Sequence, residues 1–80
     1  MKLPRDVHGS ELVKALRVLG YAVSRQSGSH IIVTTLRDGE YHETIPNHRP
    51  MRIGTLANIL KNIAVHHGMT MEAVRDLLEL

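Results

Sequence analysis

The chain has 80 residues and a formal net charge of +2, with six histidines and no cysteine, tryptophan or phenylalanine. That length allows one domain, residues 1–80, whose core must come from Leu, Ile, Val, Ala and Met. The missing cysteines exclude disulfides, thiolate metal sites and cysteine nucleophiles, and no apolar run is long enough to span a bilayer, so a cytoplasmic protein without a membrane partner is expected.

Ser10 suits an N-cap, which predicts a helix over residues 10–19 with Gly20 at its C′ position. Leu12, Val13, Leu16 and Leu19 share one face of it; Lys14 and Arg17 lie on the other. His8 reads as a helper in the cap. Residues 21–25 read as a short strand with Tyr21 and Val23 on one side, followed by a polar turn at 26–29. Residues 30–36, rich in β-branched side chains, are the clearest strand in the chain.

Asp38-Gly39 predicts a two-residue hairpin turn, and residues 41–45 return as a third strand stopped by Pro46. A basic loop, 47–52, leads to a helix expected to begin near Gly54-Thr55. Its stripe is Leu56, Ile59, Leu60, Ile63 and Ala64, and Gly68 ends it. Thr70 caps a short last helix with Met71, Val74, Leu77 and Leu78 on its apolar side. The methionines at 51, 69 and 71 read as packing residues. Helices before and after a meander can both be covered only if they pack on one sheet face. The fold class is therefore α+β: two layers, a three-stranded antiparallel sheet in the order α-β-β-β-α, and a short extra C-terminal helix. Double-stranded-RNA-binding domains share that order.

A two-residue turn at Asp38-Gly39 sets Arg37 opposite Glu40, Ile32 opposite Ile45, His30 opposite Asn47 and Ser29 opposite His48. His30, Asn47 and His48 then meet at one end of the sheet, with Arg25 and Arg49 close in sequence. Such a cluster suits RNA. An imidazole can take the proton of a ribose 2′-hydroxyl, arginines can hold the phosphate, and Gly28 lets backbone N–H groups approach it. No metal or cofactor is needed. A histidine at a strand start can equally be structural, and Gly28-Ser29 is also ordinary turn chemistry.

The adjacent His66-His67 lack the i, i+4 spacing of a helical metal site and read as a solvated helix end. His42 reads as a surface residue. Lys61 belongs to a solvated helix face that could reach a phosphate.

The chain resembles the HicA (YcfA-like) family of small bacterial and archaeal toxins. The likeness runs through Gly9-Ser10-Glu11-Leu12-Val13-Lys14-Ala15-Leu16, Gly20-Tyr21 and Arg25-Gln26-Ser27-Gly28-Ser29-His30. It continues in Ile45-Pro46-Asn47-His48 and in residues 53–61. The resemblance implies a double-stranded-RNA-binding-like fold, ribonuclease activity on messenger RNA, and a HicB-type antitoxin that covers the active site. It makes His30 the catalytic residue, with Gly28 and Ser29 shaping the phosphate site and Arg25, Asn47, His48 and Lys61 as further RNA contacts. A non-catalytic RNA-binding or protein-interaction module of the same fold is the alternative.

Two departures stand out. Ile31 and Val33 occupy positions where many members carry a second histidine and an aromatic, and Arg49-Pro50-Met51-Arg52 replaces lysine- or glycine-rich text. If His30 and Ile32 face the helices, Ile31 and Val33 form an open apolar face suited to self-association or antitoxin binding.

Overall fold

The computed structural model describes residues 2–47 and 50–80. Helix α1, Gly9–Ala15, begins one residue before the expected cap: His8 is the N-cap, and Glu11 accepts its backbone N–H at 3.0 Å. Glu11 sits at N3, so its carboxylate also meets the positive end of the helix. The chain then tightens into a 3-10 turn, Leu16–Leu19, which Gly20 ends in the left-handed region (φ 82°).

Strands β1 (Ala22–Ser27), β2 (His30–Thr35) and β3 (Tyr41–Pro46) form an antiparallel sheet in sequence order. Helix α2, Ile53–His67, starts one residue before Gly54, with Arg52 as N-cap, and stops at Gly68 (φ 64°). Helix α3, Met71–Leu77, is capped by Thr70, whose hydroxyl accepts the Ala73 N–H at 3.0 Å. None of these helices is long and apolar enough to cross a membrane.

One core joins the helices to a single sheet face. Leu12, Leu16 and Leu19 from the first helical segment meet Leu56, Leu60 and Ile63 from α2 and Ile31, Val33 and Ile45 from the sheet. Each such side chain contributes about 1.5–3 kcal/mol when fully buried. Val74 and Leu78 join from the C-terminal helix, whereas Leu77 is exposed.

The β2–β3 register differs from the expected one by one residue. Thr35 pairs with Tyr41, Ile31 with Ile45 and His30 with Pro46, leaving five residues, 36–40, in the connection. Asp38 and Gly39 do take positive φ (59° and 102°), as the Asp-Gly signal implies. The slip follows from burial. With this pairing Ile31 and Val33 share the covered face with Ile45, whereas the two-residue turn would put Ile45 beside Ile32 on the other face. Ile31 (6% exposed) and Val33 (0%) are therefore core residues, and the apolar open face expected from them does not exist. Buried under the helices, Ile31 and Val33 offer no surface for self-association.

Strand β1 also departs from expectation. It extends to Ser27, and its register shifts between Val23 and Arg25, a bulge at Ser24. Tyr21 is buried before the strand begins, while Val23 is half exposed on an edge the helices do not cover.

The α2 terminus is not a solvated end. The His67 side chain is 1% exposed, with Nδ1 2.9 Å from the Asp38 carboxylate and Nε2 3.0 Å from the Tyr21 hydroxyl. A carboxylate only accepts, so Nδ1–H donates to Asp38. That bond is the main cause holding the Asp38 carboxyl below its ordinary value. His66 stacks on Tyr41, and its Nε2–H points at two carbonyls of the hairpin connection, Arg37 at 3.1 Å and Gly39 at 3.0 Å. The adjacent histidines thus clamp the loop whose length sets the register.

Burial raises the Tyr21 hydroxyl well above its usual range, with the Tyr41 and Glu43 charges adding to it. Burial also pushes Tyr41 up to about 12, aided by its bond to Glu43 at 2.6 Å and by the Glu43 charge. Glu43, on the covered face, is raised by burial, with donors Tyr41 and Asn62 opposing the shift.

Two stability measurements follow. His67→Ala leaves the Tyr21 hydroxyl buried without its partner, and the expected loss is about 1–3 kcal/mol in urea unfolding. For Glu43 the folded pKa lies above the unfolded one, so stability is highest with the carboxyl protonated and falls as pH rises from the ordinary glutamate value toward the raised one. Glu43→Gln should flatten that fall, so its melting temperature gains on the wild type as pH rises from 4 to 7, read by thermal denaturation at each pH.

Candidate nucleic-acid interface

Alternation along the strands sends Ile31, Val33 and Thr35 to the covered face and His30, Ile32 and Thr34 to the open one. Ser27 and His30 are paired residues flanking a tight turn of Gly28 and Ser29. Gly28 has φ 56° at the first central position, where a type II′ hairpin needs glycine. Nothing lies within 4 Å of where its Cβ would be, so the backbone there is open to a ligand.

His30 is exposed at the mouth of this turn. Arg25 pairs with Ile32, one diagonal step from His30 on the same face, a separation of roughly 7–8 Å between Cα atoms that an arginine side chain can bridge. Among the described residues the His30 ring has no hydrogen-bond partner, unlike those of His42, His66 and His67.

Several expected neighbours move. His30 faces Pro46 rather than Asn47. Asn47 stays at the same end because its N–H donates to the Ser29 carbonyl at 2.6 Å, closing the sheet beyond the last pair. His48, and Arg49 with it, lie outside the described residues. Lys61 is exposed on the solvent side of α2, in the helix layer, and is not brought onto the open face with His30. A cleft of about 350 Å³ lined by Pro46, Pro50, Met51, Arg52 and Thr55 opens at the start of α2. Among the described residues no group of three or more His, Asp or Glu side chains is placed to hold a metal ion.

The open face also carries a chain of polar contacts that the sequence reading missed. Glu40 Oε2 lies 3.0 Å from His42 Nε2, His42 Nδ1 is 2.6 Å from Thr34 Oγ1, and Thr34 Oγ1 is 2.8 Å from Ser24 Oγ. Since a carboxylate only accepts, Nε2–H donates to Glu40, and Nδ1 is paired with the Thr34 hydroxyl. Only the correct register, with Thr34 opposite His42, would have revealed this.

The family model for the HicA toxin of bacterial toxin–antitoxin systems matches residues 9–65. The chain belongs to the HicA toxin family. No curated protein and no solved structure gives a significant match. The HicA match takes in α1, all three strands and nearly all of α2, and so includes the Gly28-Ser29-His30 turn; α3 lies beyond it.

The first residue of the HicA match, Gly9, supports the site from behind. A Cβ there would collide with the Pro46 carbonyl oxygen and crowd the Asn47 Cα, the backbone that flanks His30 and Ser29. Gly9→Ala should cost about 1–3 kcal/mol by overpacking. In an amide NMR spectrum the largest shifts should fall on Ser29, His30 and Asn47 as well as on α1.

Proposed function

We propose that this HicA-family chain is an endoribonuclease toxin that cleaves messenger RNA with His30 and without a metal ion. The observation that carries the reading is an exposed imidazole, free of internal hydrogen bonds among the described residues, at the mouth of a Gly28-Ser29 turn with Arg25 one diagonal step away.

In the proposed reaction His30 removes the proton of a ribose 2′-hydroxyl, and the oxygen attacks the adjacent phosphorus. The P–O5′ bond breaks, the 5′-oxygen takes up a proton, and a 2′,3′-cyclic phosphate remains. The Arg25 guanidinium and the turn's N–H groups stabilise the charge that develops on the phosphate. The 2′-hydroxyl as nucleophile makes the reaction specific to RNA. Asn47 is a further contact at the same end, His48 is another by its place next to it in the sequence, and Lys61 is a more remote one. An antitoxin of the HicB type would neutralise the protein by covering this end of the sheet.

The test is incubation of wild type and His30→Ala with messenger RNA, each with and without EDTA. Removal of the general base should lower the cleavage rate about 10²–10⁴-fold, while wild type stays active in chelator. Equal cleavage by both proteins would sink the His30 mechanism, and RNA binding without cleavage by either would favour the non-catalytic module.

A further inference from the structure

The Glu40–His42–Thr34–Ser24 chain crosses the open face at the end of β2 opposite to His30. His42 pairs with Thr34, four residues along β2 from His30, which places it roughly 13 Å away at the strand rise. That is too far to share the reacting phosphate, so an RNA strand gripped at His30 would meet His42 with a flanking nucleotide.

The contacts restrict which part of that nucleotide can bind. Both nitrogens of His42 are engaged, so the ring has no free donor for a phosphate oxygen. The Glu40 carboxylate beside it repels phosphate, whereas Arg25 at the other end attracts it. What His42 offers is the flat side of an imidazole fixed at two points, with its side chain 56% exposed. Such a ring is a stacking platform for a base. Glu40, 65% exposed, keeps its second oxygen for an acceptor role toward an exocyclic amino group.

We infer that His42 and Glu40 form a base-reading subsite for a nucleotide flanking the cleaved bond, selecting bases with an exocyclic amino group over uracil. The inference rests on the ribonuclease reading above and adds to it a residue pair that sets specificity. His42 supplies the stacking surface, Glu40 selects, and Thr34 with Ser24 holds the ring in place.

The test uses an RNA pool with randomised positions around one cleavage site, cut by wild type, Glu40→Gln, His42→Ala and His42→Phe, with products sequenced and kcat and KM measured on single oligonucleotides. Wild type should disfavour uracil about tenfold at one fixed offset from the cut. Glu40→Gln should accept uracil there, because an amide also donates. His42→Ala should raise KM about tenfold while the loss spares kcat, and His42→Phe, which restores a ring, should recover much of it. A uniform base profile at every flanking position in wild type, or a profile and KM in His42→Ala and Glu40→Gln that match wild type within twofold, overturns the subsite while leaving the His30 reaction standing. Absence of cleavage by wild type overturns both.

Discussion

The structure turns on the parity of the β2–β3 pairing. Ile31 and Val33 must lie beside Ile45 if the helices are to cover all three, and only the pairing of Thr35 with Tyr41 arranges this. Because side chains alternate with a period of two, the same choice pushes His30, Thr34 and His42 out together on the opposite face. The apolar core and the polar face are two sides of one constraint. A slip of one residue would bury Thr44 and expose Ile45, and would also separate Thr34 from His42.

That constraint is enforced from a distance. A five-residue connection between paired strands is held less tightly by its own backbone than a two-residue turn. Here the end of α2 does the holding: His67 reaches Asp38, and His66 reaches the carbonyls on either side of it. Thr35 adds a tie to the first helical segment, donating to the Leu19 carbonyl at 2.9 Å and accepting the Arg37 N–H at 3.0 Å. Helices on the covered face thereby fix which side chains the open face presents without touching it.

Local signals in the sequence were legible and long-range ones were not. Gly20, Gly68 and Thr70 mark helix ends because a positive φ or a capping hydroxyl is a property of the residue and its nearest neighbours. The stripe of α2 and the β-branched run of β2 were equally plain. The Asp38-Gly39 signal was correct about conformation and misleading about register, since contacts from residues 66 and 67 decide how many residues the connection contains. The histidines show the same division. His30 stands out as a candidate by its place after Gly28-Ser29, whereas the contacts of His42, His66 and His67 reach partners as far as 46 residues away in sequence, beyond any spacing rule.

The bulge at Ser24 has one more consequence. In a sheet ordered β1-β2-β3 both outer strands expose backbone groups that could recruit a strand from another copy. The bulge breaks the regular spacing of those groups midway along β1, and Arg25 beside it adds a charge; on β3, Pro46 has no N–H to offer. The open sheet is therefore protected along its borders against zipping into aggregates, and its flat face can stay uncovered for a ligand.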